Sequence, residues 1–374
     1  MKKVIITGIL GQDGANMAEY LLQNTEMKIF GVMRRTANPN FVNCQKFNKN
    51  NRFNFVYGDL TDSVSIDNLV REIEPDYFIN FAAQSFVGCS WEIPLQTFDT
   101  NATGVVRCLE AIRRFKPDCR FYSAGSSEEF GDVEYSPQNI THPLRPRSPY
   151  GSSKAAARHI VKVYRESYNL YAVHGVLFNH EGTKRGEEFV TRKITKNVAK
   201  IKKSIENKLS FQPIELGNLD SKRDWSDSED FMDGVWRMLN QELYREDLKK
   251  EIKNDKQINK KIINSLKDYI LSSDQTHSIR EFVEKAFSLI NLDGFWKGEN
   301  INEKYYLNNY LHDIGEIKSN ELVKINPKFY RPAEVDLLLG DSTPARQELG
   351  WQPQISFDKL VEKMVRFDID NFSK

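Results

Sequence analysis

The chain has 374 residues, 40% of them hydrophobic and 28% charged, with 53 Lys and Arg against 52 Asp and Glu for a formal net charge of +1. That composition excludes wholesale disorder, and the charge balance speaks against a dedicated nucleic-acid binder. The apolar runs are broken by charge well short of the ~20 residues a bilayer span requires, so neither nucleic acid nor membrane is an expected partner.

The N-terminus runs straight into a strand, Lys3 to Thr7, without the apolar core of a signal peptide. Directly after it comes Thr7-Gly8-Ile9-Leu10-Gly11-Gln12-Asp13-Gly14, with glycines at a G-x-x-G-x-x-G spacing, followed by a helical face of Met17, Leu21 and Leu22. Glycine permits the tight turn and lets the backbone approach a pyrophosphate, whose charge then lies at the helix N-terminus. Gly8, Gly11, Gln12, Asp13 and Gly14 are therefore candidate dinucleotide contacts. The second strand, Ile29 to Met33, ends in Arg34-Arg35 with no carboxylate nearby. An acidic residue there would bind the ribose hydroxyls of NAD, whereas arginine accommodates the 2′-phosphate of NADP, so NADP is the expected cofactor. After the third strand, Phe53 to Tyr57, Asp59 and Leu60 stand where an adenine edge can be read. After the fourth, Tyr77 to Phe81, the residues Ala82, Ala83, Gln84 and Ser85 line the cofactor trough.

Helical stretches Ser63–Glu72, Thr97–Phe115 and Ser152–Tyr168 alternate with further strands Arg120 to Ser123 and Tyr171 to Leu177. This alternation implies βαβ units and a doubly wound parallel α/β sheet, with ligands at the carboxyl ends of its strands. The strand at 120–123 leads into Ser123-Ala-Gly-Ser126-Ser127-Glu128-Glu129. Over a cofactor, the Ser126 hydroxyl can polarise a substrate oxygen and the Glu128 carboxylate can shuttle a proton; the alternative is a simple helix cap. Tyr150-Gly-Ser-Ser-Lys154 then puts a phenol and an ammonium on one helix face. The lysine is expected to lower the tyrosine pKa and to hydrogen-bond the nicotinamide ribose.

Beyond Phe178 the pattern loosens. Val190, Ile194, Val198, Ile201, Ile205 and Leu209 recur at helical spacing, with a basic opposite face that begins at Arg192 and Lys193. A segment of about 242–268 has neither Gly nor Pro, and its Lys249, Lys250, Glu251, Lys253, Asp255 and Lys256 predict an exposed insertion, helical or partly disordered. Two parts are expected: residues 1–178, with returning segments from the later chain, for the cofactor, and 179–374 mainly as a smaller substrate-binding cap. Cys44, Cys89, Cys108 and Cys119 have neither zinc-ligand nor disulfide-framework spacing, which predicts free thiols in a reducing, cytoplasmic setting.

Together these motifs resemble the extended short-chain dehydrogenase/reductases, and within them the GDP-mannose 4,6-dehydratases. The resemblance rests on TGILGQDG (Thr7–Gly14), YGDLTD (Tyr57–Asp62), AAQS (Ala82–Ser85), PRSPYGSSK (Pro146–Lys154) and YRESY (Tyr164–Tyr168). Most specific are LFNHEGTKRGEEFVTRK (Leu177–Lys193), LGNLDSKRDW (Leu216–Trp225) and YRPAEVDLLLGD (Tyr330–Asp341). It covers nearly the whole chain except about 242–268 and 295–325.

The resemblance implies a lyase that dehydrates a GDP-sugar by an internal redox cycle on bound NADP. It implies that Ser126 stands for the family's threonine, that Glu128 transfers the proton, and that Tyr150 and Lys154 complete the catalytic set. It places His180 and Arg185 at the cofactor, and Asn179, Lys193, Arg223, Arg331 and Glu334 around the nucleotide sugar. It also implies a homotetramer in which the arginine-rich loop after the second strand meets a neighbouring subunit. One departure bears on the substrate: Phe86 stands where the family commonly has histidine. GDP-mannose is the first expected substrate, with GDP-manno-heptose and GDP-N-acetylglucosamine as alternatives. An NADP-dependent nucleotide-sugar epimerase or reductase is the enzymatic runner-up, and it has no evident use for Glu128. A non-enzymatic NADP-binding protein would predict a decayed catalytic set, whereas all four residues are present.

Overall fold

In a computed structural model of the chain, residues 1–255, 260–308, 320–329 and 337–372 are described. The first half alternates as the sequence predicts: β1 (Lys3–Thr7), α1 (Gln12–Asn24), β2 (Lys28–Met33), β3 (Phe53–Tyr57), α2 (Ser63–Ile73) and β4 (Tyr77–Asn80). Then come α3 (Pro94–Phe98), α4 (Gly104–Phe115), β5 (Arg120–Ala124), α5 (Pro149–Tyr168) and β6 (Ala172–Leu177). The stretch predicted as one helix over 97–115 is interrupted by a π-type turn at Asp99–Thr103, which separates α3 from α4. α5 begins earlier than predicted, because Pro149 needs no N–H at the first helical position and the Ser148 hydroxyl accepts from Gly151 N at 3.0 Å.

The later chain supplies β7 (Asn179–Glu181), α6 (Val190–Glu206), β8 (Ile214–Leu216), β9 (Lys222–Arg223), β10 (Trp225–Asp227) and α7 (Ser228–Met238). It continues with α8 (Glu246–Asp255), α9 (Lys260–Asn264), β11 (Tyr269–Leu271), β12 (His277–Ser278), α10 (Ile279–Ser288), β13 (Gly294–Lys297) and β14 (Lys304–Leu307). Last come β15 (Glu321–Ile325), β16 (Leu337–Leu338), α11 (Thr343–Leu349) and α12 (Phe357–Asp370).

The main sheet has seven parallel strands in the order β11-β6-β5-β4-β1-β2-β3. Strand period explains its two covered faces. Val4 and Ile6 point into one core with Met17 and Leu21 of α1 and Phe231 and Val235 of α7. Ile5, between them, joins the opposite core with Val70 of α2, Leu109 of α4 and Val161 of α5. The chain order reverses between β1 and β4, so the crevice at their carboxyl ends is the switch point where such sheets bind ligands.

A third core belongs to the smaller sheets and helices: Ile194, Val198 and Ile201 of α6 pack with Phe282, Phe287, Leu322, Val361 and Val365. α6 stops at Glu206, so Leu209 lies beyond it and is exposed. Its basic face is less uniform than the pattern predicts. Arg192 is buried and pairs with Asp368 of α12 at 2.9 Å, because α12 covers the side that a lone helix would turn to water.

The charged segment is helical in α8 and α9, and Lys250 is exposed as expected. It is nonetheless anchored: Leu248 and Ile262 are buried, and Glu242 pairs with Arg120 at 2.7 Å. The side chains of Lys253, Asp255 and Lys256 lie outside the described residues. Among the described residues no helix is long and apolar enough to cross a membrane.

Candidate active site

The turn after β1 is built by glycine at two points of close approach. Gly8 has φ +70°, and a Cβ there would lie 2.9 Å from Ala82 N of the loop after β4. A Cβ on Gly14 would lie 2.4 Å from the Gly8 carbonyl oxygen. Gly11 caps α1 with no side chain over the helix N-terminus, leaving the first N–H groups of α1 facing the crevice. A cradle of backbone donors with no room for Cβ atoms suits a pyrophosphate, so the residues present fit a dinucleotide.

Thr7 ties the two loops together: its hydroxyl donates to Asn80 Oδ1 at 2.6 Å and accepts from Ala82 N at 3.1 Å. Gln12 Nε2 donates to the His180 carbonyl at 3.0 Å, and Asp13 Oδ2 lies 3.0 Å from His180 Nε2. Burial opposes the charge on Asp13, but His180 and Arg185 outweigh it and hold the carboxyl down at about 2. Gln12, Asp13, His180 and Arg185 are thus brought together from opposite ends of the first half of the chain. Arg185 also lies over the Phe189 ring, 3.6 Å from its centroid.

Arg34 and Arg35 are exposed on the loop after β2. Asp59 accepts from Thr61 N and Oγ1 at 2.9 and 2.8 Å, while Leu60 is buried against Gly104. Ala82, Ala83, Gln84 and Ser85 follow β4 along the crevice. Their loop is fixed by Asn101, a residue the sequence pattern does not single out. Asn101 accepts from Gln84 N at 2.8 Å and donates to the Gln84 carbonyl at 3.0 Å and to Ser153 Oγ at 3.1 Å. It sits in the π-type turn, a local irregularity that helical periodicity hides.

At the end of β5, Ser126 both caps a short turn and faces Tyr150. Its hydroxyl accepts from Glu128 N at 3.2 Å, so the capping alternative weighed from sequence is present alongside any chemical role. The partner that completes the cap is Glu129, whose Oε1 accepts from Ser126 N at 2.8 Å. Glu128 is therefore not consumed by the cap; it is half-buried and close enough to raise the Tyr150 pKa.

Helical spacing does bring Tyr150 and Lys154 together, with Lys154 Nζ 5.9 Å from the Tyr150 ring centroid. The expected lowering of the phenol pKa is not what the structure gives. Burial pushes Tyr150 up, more than the hydrogen bond from Ser126 lowers it, and Glu128 adds to the rise. Lys154 spends its ammonium on the Ala124 carbonyl at 2.7 Å, and burial draws its pKa down to about 8 against the pull of Glu129 and Asp13.

Of the remaining sites, Asn179 opens β7 and Arg223 lies buried on β9, next to β16. Lys193 lies 3.6 Å from the centroid of the Phe329 ring, and burial lowers its pKa despite Glu215. Arg331 and Glu334 lie outside the described residues. Phe86 is 41% exposed, with its ring edge-on to Phe189 at 6.2 Å.

A family model described as GDP-mannose 4,6 dehydratase matches residues 5–364. The GDP-mannose 4,6 dehydratase of Drosophila melanogaster is 40% identical over 381 aligned positions, spanning 100% of this chain and 87% of the fly protein. Among solved structures, the dTDP-glucose 4,6-dehydratase of Bacillus anthracis in complex with NAD superposes with a TM-score of 0.72 at 19% identity, covering 99% of this chain and 97% of its own. RMD from Pseudomonas aeruginosa complexed with NADPH gives 0.71 at 20% identity, covering 99% of each. Those two likenesses speak to the fold, a Rossmann-type sheet with smaller sheets from the later chain.

Proposed function

The chain belongs to the GDP-mannose 4,6-dehydratase family of NAD(P)-binding short-chain dehydrogenase/reductase enzymes, and from that premise we propose that it converts GDP-mannose to GDP-4-keto-6-deoxymannose on bound NADP. One observation carries the reading. The crevice that fits a dinucleotide also holds a carboxylate, Glu128, on the same turn as Ser126 and beside Tyr150. A simple dehydrogenase or epimerase has no evident use for it.

Gly8, Gly11 and Gly14 would hold the pyrophosphate on the α1 N-terminus, with Gln12, Asp13, Ala82, Ala83, Gln84 and Ser85 lining the cofactor trough and Asp59 and Leu60 serving the adenine. The chemistry that NADP would supply there is reversible hydride transfer, from sugar C4 and back to C6. Tyr150 accepts the C4 hydroxyl proton as its phenolate, the form that the Ser126 hydrogen bond favours, and Ser126 also hydrogen-bonds the C4 oxygen; Lys154, anchored by one N–H on the Ala124 carbonyl, would hold the nicotinamide ribose with another. Glu128 removes the C5 proton, acidified by the neighbouring ketone, as water leaves C6; C5 is then reprotonated. Asn179, Lys193, Arg223, Arg331 and Glu334 hold the nucleoside diphosphate, for which arginine's planar fork is suited. In this division, residues 1–178 with β11 serve the cofactor and the later chain mainly serves the sugar nucleotide. A homotetramer and a cytoplasmic location follow from the same family reading, the latter in keeping with the buried free thiols Cys44, Cys108 and Cys119.

Mass spectrometry of the purified protein with GDP-mannose in heavy water, without added nicotinamide, tests the proposal. We expect loss of one water and gain of one deuterium at C5, since the cofactor is regenerated in place. Turnover that consumes cofactor without water loss would overturn it. Conversion of GDP-manno-heptose or GDP-N-acetylglucosamine but not GDP-mannose would keep the reaction and correct the sugar, pointing to Phe86.

The preference for NADP has its own test. Replacing both arginines, Arg34→Ala with Arg35→Ala, should weaken NADP by roughly tenfold or more, as expected for lost charge-assisted hydrogen bonds to a 2′-phosphate. NAD affinity should be unchanged in a parallel fluorescence titration; equal weakening of both would remove the arginines from 2′-phosphate recognition.

A further inference from the structure

Beneath the Ser126 turn lies a buried carboxylate–imidazole pair with no role in the proposed mechanism. Glu129 and His174 are both 0% exposed. The Oε1 of Glu129 accepts from Ser126 N at 2.8 Å and from His174 Nε2 at 3.0 Å. Space is made for the pair by Gly125, where a Cβ would lie 2.2 Å from His174 Nε2 and 2.7 Å from Glu129 Oε1. The same three-residue run of backbone carries both catalytic candidates: Lys154 is bonded to the Ala124 carbonyl, and Ser126 follows Gly125.

A cap on a short turn needs no burial. Taking a carboxylate out of water costs several kcal/mol unless charge and hydrogen bonds compensate; here Oε1 accepts two hydrogen bonds, while Oε2 has the Arg158 guanidinium nearby but no hydrogen bond. Burial opposes the charge, but His174 and Arg158 keep the Glu129 pKa below its ordinary value. The Arg158 guanidinium of α5 lies 3.9 Å from Oε2. The His174 backbone is itself fixed: its main-chain N–H donates to Asp268 at 2.8 Å, and Asp268 pairs with Arg165 of α5 at 2.8 Å. Tyr122 of β5 also feels the Glu129 charge.

We infer that Glu129 and His174 are positioning residues: they fix the 124–126 backbone on which Ser126 and Lys154 depend, and the Glu129 carboxylate places a negative charge under the acid–base pair that sets its working pH. This rests on the acid–base roles proposed for Tyr150 and Lys154. After burial, the groups acting on Tyr150 are Ser126, Glu128, Glu129 and Arg185, and those on Lys154 are Glu129 and Asp13. Glu129 raises both. Removing its charge therefore favours the deprotonated form of both groups and moves the whole profile toward lower pH.

The test is Glu129→Gln, which keeps the shape and an oxygen for Ser126 N. The pH profiles of kcat and of NADP affinity should both move to lower pH by roughly half a unit or more, from a unit charge at short range in a partly screened site. KM should change little, while the thermal midpoint should fall, because the ionised carboxylate's contacts with His174 and Arg158 are lost. Unshifted profiles in a folded Glu129→Gln protein would overturn the inference, as would a fall in kcat that is uniform across pH. If that variant does not fold, the double replacement Glu129→Leu with His174→Leu removes the carboxylate and the imidazole together, leaving neither buried without the other, while Arg158 keeps its bond to the Ile140 carbonyl. It should fold with kcat lowered roughly tenfold or more and KM retained; wild-type kcat would overturn the inference. NADP affinity is measured without substrate. Absence of wild-type turnover on GDP-mannose would thus count against the substrate, while a shift in the affinity profile would still support the pair.

Discussion

Glu128→Gln should bind NADP and substrate with near wild-type affinity and lower kcat for water loss by roughly 10²–10⁴-fold, the range for deleting a general acid–base group. Glutamine matches glutamate in shape, and the cap of the Ser126 turn uses the backbone N–H of residue 128 and the side chain of Glu129. The turn therefore has no reason to move. What is lost is an acceptor for the C5 proton. In the proposed mechanism oxidation at C4 comes earlier and depends on Tyr150, so mixing the variant with GDP-mannose should produce nicotinamide absorbance that persists, with the sugar stalled before elimination. Near-normal dehydration by this variant would remove Glu128 from the chemistry.

Tyr150→Phe should fail one step sooner. Removing the phenol oxygen takes away the proposed acceptor for the C4 hydroxyl proton, with an expected fall in kcat of roughly 10²–10⁴-fold. No reduced nicotinamide should build up on mixing with substrate. The ring itself is buried and a phenylalanine fills the same space, so cofactor affinity and thermal midpoint should be retained. The contrast is the informative part: Glu128→Gln stalls after oxidation, Tyr150→Phe before it. If both variants accumulated reduced nicotinamide, the tyrosine would not be the base.

The legible half of the site is the half encoded by short-range spacing. Gly8, Gly11 and Gly14 are read from one turn, because a close backbone approach excludes Cβ atoms whatever lies across the crevice. Tyr150 and Lys154 are read from one helix, because a spacing of four returns to the same face. The parallel sheet follows from alternating strand and helix patterns, and the apolar run of β1 announces a strand covered on both sides. Spacing was less reliable for charge. The proximity of Tyr150 and Lys154 predicts a lowered phenol pKa, yet burial dominates and Lys154 is committed to the Ala124 carbonyl.

Sequence by itself thus determined the α/β class, the dinucleotide turn and the identity of the residues at the carboxyl ends of β1, β4 and β5. Tertiary structure alone decided which of two adjacent glutamates is buried. In the sequence Glu128 and Glu129 are equivalent neighbours, but Glu129 turns inward because His174, forty-five positions later, stands on the adjacent strand β6. It also decided that Arg192 is paired inside the smaller core and that Asn101 clamps the loop after β4 to α5. Each of these depends on a partner distant in the chain, and periodicity within one segment carries no information about which segment will pack against it.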